Sequence, residues 1–171
     1  MNKVHARASD SHAAASGTDV LSDVLRSVRL TGSMLFLVDA TTPWMSWAPQ
    51  TEAFRRVVLP ASQHMISYHI VTRGQCWAGL RGAAPEHFEE GDVLVVPHGD
   101  GYFLADPPDA LASYGPEEAV TFFSKMAAGE LPSVVPEGGG GAQRTQFICG
   151  FLGCDLQPFN PVLAALPKML H

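Results

Sequence analysis

The sequence predicts an all-β domain, a small antiparallel barrel or sandwich, and three observations carry that prediction. From Met34 onward, short apolar segments follow one another, split by Gly, Pro and Asp. They fall at 34–39, 44–48, 54–59, 65–73, 76–80, 93–97, 101–105, 119–125 and 144–152, the close spacing of an antiparallel all-β chain. The crossover helices that a parallel sheet requires are missing between them. With 171 residues, 46% of them apolar, the chain reads as one domain with enough material for a core.

The flanks have a different texture. Residues 1–17 (MNKVHARASDSHAAASG) are small, polar and aperiodic, which predicts a flexible tail with His5 and His12 solvated. Thr18 opens a predicted short helix. Asp19 and Asp23 suit the positive end of its dipole, Val20, Leu21, Val24, Leu25 and Val28 form an apolar stripe, and Gly32 is a stop. Residues 106–118 (DPPDALASYGPEE) read as a loop, and 129–143, with four glycines at 138–141, as a mobile connection.

Near the C-terminus, Asn160 can cap a helix with Pro161 at its first position. Val162, Leu163, Leu166, Met169 and Leu170 supply its apolar face, and Pro167 should disturb it. The expected plan is a tail at 1–17, a barrel domain at 18–158 and the start of a linker helix at 159–171. That last pattern is still running at His171, as in a piece of something longer.

Charge narrows the function classes. The net charge is −6, and the 11 lysines and arginines are thinly spread, so this chain is a poor grip for a phosphate backbone. Between 86 and 130, ten acidic residues face one basic residue, Lys125, which reads as a solvated loop side. Only 16% of residues are charged, low for a free-standing surface, so a partner is expected to cover part of it. No apolar run reaches the roughly 18 residues of a membrane span. The N-terminus lacks the basic-then-apolar order of a signal peptide. Three cysteines make no disulfide framework, and a reducing cytoplasm is the expected location.

The most informative stretch is 64–105, HMISYHIVTRGQCWAGLRGAAPEHFEEGDVLVVPHGDGYFLA. Gly91, Pro97 and Gly99 fit the second motif of the cupin fold, G-x5-P-x-G-x2-H, where glycines allow tight turns and proline stiffens the corner. The region therefore resembles a cupin, a double-stranded β-helix barrel. Where the motif has its histidine this chain has Tyr102, and counting back from Gly74 puts Ser67 at the usual glutamate. Ala61-Ser62-Gln63-His64 stands near the usual H-x-H pair, so His64 is the one customary ligand left. Tyrosine and serine hold a divalent metal poorly, and no metal is expected.

Four phrases in order, DVLSDVL, ISYHIVTRGQCWAGL, GDVLVVPHGD and CGFLGCDLQPFNPVLAALP, resemble the N-terminal cupin domain of AraC-type transcriptional regulators over residues 19–171. The resemblance implies a cupin barrel with a short N-terminal helix and a C-terminal helix. It further implies a sensor that binds a small-molecule effector, forms a homodimer, and reaches DNA only through a C-terminal helix-turn-helix domain that this chain does not carry.

On the barrel reading, Ser67, His69 and Val71 alternate inward on one strand and Tyr68 and Ile70 outward. Tyr102 points inward by the motif. The expected ligand-binding residues are Trp44, Trp47, His64, Ser67, His69, Trp77 and Tyr102, a few polar groups in an apolar and aromatic shell. His98, in its turn, and His87 are expected to be structural or exposed. No catalytic residue is expected.

Two other readings compete. A metal-dependent cupin enzyme, of dioxygenase or isomerase type, needs three or four convergent ligands. The alternative donors are His64, His69, Cys149 and Cys154 around zinc, although the odd offset between the two cysteines opposes a shared site unless Gly150 and Gly153 bend the strand. A thiol redox sensor would use Cys76, Cys149 or Cys154.

Overall fold

The computed structural model describes residues 30–112, 114–156 and 161–171. The expected tail and the predicted helix from Thr18 to residue 29 lie outside the described residues.

Among the described residues, nine strands form two sheets: β1 (Leu30–Thr41), β2 (Trp44–Ala48), β3 (His64–Arg73), β4 (Gln75–Leu80), β5 (Glu86–Glu89), β6 (Val93–Val96), β7 (Tyr102–Asp106), β8 (Val134–Gly138) and β9 (Arg144–Cys154). One sheet has the order β6-β3-β9-β1-β8, the other β2-β7-β4-β5. Inward side chains of both, among them Met65, Val71, Leu94 and Phe147 from the first and Trp44, Ala78, Phe88 and Leu104 from the second, share one buried core. This is the two-sheet layout of a mostly β double-stranded β-helix. Burial alternates along β3, with Met65, Ser67, His69 and Val71 buried and the residues between them half-buried, as the period of two requires. Gly91 and Gly99 adopt φ of 99° and 75°, which gives the motif glycines their backbone reason.

Six expectations need correction. The β-rich segment 54–59 is not a strand. A single helical turn at Thr51–Ala53 leads into α1 (Arg55–Val58), because Phe54 turns inward and stacks on Phe123 at 4.3 Å. Nor is 119–125 a strand. It lies in α2 (Pro116–Ala127), with Pro at the helix start, Glu117 and Glu118 in the first turn and Lys125 in the last. The Glu118 carboxylate accepts the Gly115 N–H at 2.9 Å, and Gly129 follows at φ 72°. Ala119 and Phe123 are buried and Phe122 packs on the core, so the apolar period here is that of a helix.

The connection at 129–143 contains β8, which pairs in parallel with β1 and so departs from a purely antiparallel plan. Strand β5 was not foreseen at all, since EHFE has one apolar residue, the buried Phe88. Residues 30–32, expected to end a helix at Gly32, begin β1. Finally, a helix does not run to residue 170. α3 (Pro161–Ala165) stops before Pro167. The chain then returns to the barrel, where Leu170 and Val95 exchange backbone hydrogen bonds and Lys168 pairs with Asp100.

Candidate functional site

Three inward side chains from three strands meet at the barrel centre. His69 on β3 lies directly opposite Cys149 on β9, and Tyr102 opens β7. His69 Nε2 is 2.6 Å from the Tyr102 hydroxyl, and Nδ1 is 2.9 Å from Cys149 Sγ. The phenol is the stronger donor, so its O–H donates to Nε2, and the Nδ1–H then donates to the sulfur. Burial pushes the His69 imidazole down to about 3 and the Cys149 thiol and Tyr102 phenol up. All three are neutral at physiological pH. Ser67 is fully buried beside them; its hydroxyl bears on the phenol, but no partner meets it at hydrogen-bond geometry.

Next to this chain lies an apolar cavity of about 50 Å³, which shares Cys149 with it. Phe36, Val38, Trp44, Leu104, Phe122 and Phe147 line it, with Glu137 as its one ionisable carboxyl group. Burial raises the pKa of Glu137. The Trp44 indole N–H is buried without an acceptor among the described residues. Trp47 and Tyr114 line both this cavity and an open groove of about 920 Å³ at the barrel mouth. The groove also takes in Arg81, Asp100 and Lys168, with the Arg81 guanidinium 5.8 Å from the centre of the Trp47 ring.

The expected site residues therefore divide. Ser67, His69 and Tyr102 come together at the centre, and Trp44 and Trp47 line the cavity. His64 and Trp77 do not join them. His64 has the outward parity of β3, and its Nε2–H donates to the Pro97 carbonyl at 2.6 Å. Trp77 lies between the buried Cys76 and Ala78, so it faces outward, with its ring 4.8 Å from that of His87. His98 donates to the Leu166 carbonyl at 2.8 Å and holds the C-terminal segment.

The alternative zinc donors separate as well. His69 and Cys149 pair on the inner face, while His64 and Cys154 are directly paired on the other, so the four cannot converge. Among the described residues no three His, Cys, Asp or Glu side chains cluster for a metal. The customary cupin metal does not fit either, since Ser67 and Tyr102 replace two ligands and both nitrogens of His69 are engaged. Burial also raises the thiols of Cys76, to about 12, and Cys154, so neither these nor Cys149 has the lowered value of a reactive thiolate.

Sequence reading missed Phe36, Tyr114, Phe122, Phe147 and Glu137. Phe36 and Phe147 carried a signal, since each alternates inward within a correctly placed strand. Tyr114 and Glu137 lay in segments read as loops, and Phe122 in a segment read as a strand.

A cupin family model matches residues 19–171. The chain belongs to the cupin family. Solved structures similar to this cupin include an uncharacterized conserved protein with a double-stranded β-helix domain from Klebsiella pneumoniae, 11% identical over 74% of this chain and 73% of that one, with a TM-score of 0.41. The Cnp3 cupin domain of Schizosaccharomyces pombe is 9% identical over 74% and 59% of the two chains, with a TM-score of 0.39. A Bacillus halodurans protein is 8% identical over 85% and 86%, also with a TM-score of 0.39. Among curated proteins none matches. No helix among the described residues of this cupin is long and apolar enough to cross a membrane.

Proposed function

We propose that this cupin is the effector-binding domain of an AraC-type transcriptional regulator, cytoplasmic and dimeric, and not an enzyme. The observation that carries the reading is the neutral Tyr102–His69–Cys149 chain at the barrel centre, where a metal enzyme of this family needs open, convergent ligands. A filled polar centre beside an apolar cavity suits recognition of a small organic molecule better than Lewis-acid chemistry. Lys168 supports the coupling half of the proposal. It lies in the wall of the mouth groove and in the C-terminal segment, so occupancy of the groove bears directly on the chain leading toward a DNA-binding half. Coupling follows if the ligand binds more tightly to one arrangement of that segment than to another.

Thermal denaturation against a panel of metabolites and divalent metals tests this. A bound effector at a hundred times its Kd adds about 2.7 kcal/mol, which raises Tm by about 5–10 °C in a domain of this size. Such a rise with an organic molecule, and none with iron, manganese or nickel, is the expected result. Stoichiometric retention of one of those metals, with a matching rise in Tm, overturns the proposal.

A further inference from the structure

We infer that the interior cavity is a binding site for a small organic cation, an alkylammonium group with Glu137 as its counter-charge. The inference rests on the effector-binding reading and names the chemistry of that effector. Aromatic rings from five parts of the fold enclose the space: Phe36 of β1, Trp44 and Trp47 of β2, Tyr114 ahead of α2, Phe122 of α2 and Phe147 of β9. Ring faces carry negative potential, and several of them around one space form a cage for a cation.

A purely apolar ligand would leave Glu137 unexplained. Its carboxylate enters the same cavity, and among the described residues no cation or hydrogen-bond donor meets it. Burial raises its pKa. Glu137 is half-buried, and a carboxylate so placed without a cation is unfavourable, a cost that a cationic ligand relieves where a neutral or anionic one cannot. An anion would face both Glu137 and the ring faces.

Size sets the rest. At about 10–15 Å³ for each water-sized occupant, a cavity of about 50 Å³ holds a head group of a few heavy atoms and no more. A trimethylammonium head is of that order. Trp47 and Tyr114 line both the cavity and the groove, so the groove beyond them is the space nearest to the remainder of the ligand. The orphaned Trp44 N–H offers a donor to an oxygen on the ligand, as in an amino alcohol.

The probe pair is choline and its uncharged isostere 3,3-dimethylbutan-1-ol, titrated against the whole chain and followed by tryptophan fluorescence and calorimetry. Choline should bind saturably and about tenfold or more tightly than the alcohol. E137Q should abolish the difference while its melting curve shows a folded protein, and E137D should retain part of it. Equal binding of the two probes overturns the cation assignment, a preference that survives E137Q overturns Glu137 as its counter-charge, and either result leaves an effector pocket standing. Failure of both probes to bind overturns the assignment too, and if no organic molecule of the metabolite panel binds either, the effector-binding reading falls with it.

Discussion

Each face of the five-stranded sheet carries an exception to the usual distribution of side chains. On the inner face, β3 and β9 carry Ser67, His69 and Cys149, all buried and polar or weakly polar. On the outer face an in-register row of aliphatic residues, Val134, Leu37, Ile148, Ile70 and Val93, crosses all five strands. Leu35, one step along on the same face, is 64% exposed, and Leu37 is 39% exposed. The inner polar groups cost desolvation, with His69 and Cys149 held in a hydrogen-bonded chain and Ser67 left without a partner, which is what the site reading rests on. The outer aliphatic row is partly exposed among the described residues, the kind of surface on which a contact forms. Sequence reading placed the partner surface on the helices at 19–30 and 160–170. Residues 19–29 lie outside the described residues, and among the described ones an apolar surface also lies on this sheet face, where the proposed dimer can be tested.

The largest effect should come from the inner face. His69→Ala leaves Tyr102 and Cys149 without their shared partner and opens a void, and should lower stability in urea denaturation by about 3 kcal/mol. A loss as small as that of a surface substitution would remove the distinction between the faces.

Acid should act through the same residue. The folded imidazole titrates near 3, whereas the unfolded one titrates near 6.5. Between those values the unfolded chain takes up a proton that the folded chain refuses, so stability is complete above about pH 6.5 and falls as pH drops. The loss from pH 7 to pH 5 should be about 2 kcal/mol, and His69→Leu should flatten it. Asp106 and Glu137, raised by burial, act with the opposite sign, so the difference between wild type and variant is the quantity to measure.

Tyr102→Phe sharpens the comparison by removing a single oxygen. It leaves His69 Nε2 unpaired in the core and should cost about 1 kcal/mol, with the melting transition still cooperative. On the outer face, Leu35→Lys and Leu37→Lys should change monomer stability by only about 0.5 kcal/mol. Their effect should appear in sedimentation equilibrium as a shift from dimer to monomer. An unchanged mass distribution would show that the row is not the dimer contact.

Much of the barrel was legible. β2 was placed to the residue, and the alternation of β3 put Ser67 and His69 inward, because a period of two leaves no choice once one face is assigned. Segment 119–125 failed for a different reason. FF and V favour strands, yet the decisive signals for a helix lay outside the window, in Pro116, Glu117, Glu118 and Gly129. β8 carried only a short signal, Val134 and the buried Val135, cut off by Pro136 and Gly138. Within the site, the inward set Ser67, His69 and Tyr102 was legible from motif and register, whereas Tyr114 and Glu137 come from irregular or edge segments that only folding brings to the cavity.

By itself the sequence determined the strand periods, the motif turns at Gly91 and Gly99, and the loss of two customary metal ligands, all local properties of neighbouring residues. Tertiary structure alone decided that His69 meets Cys149 and Tyr102, that His64 and Cys154 lie on the opposite face, and that a carboxylate enters an aromatic cavity. Those contacts join residues 33 to 101 positions apart, and no local pattern encodes which distant strand becomes a neighbour.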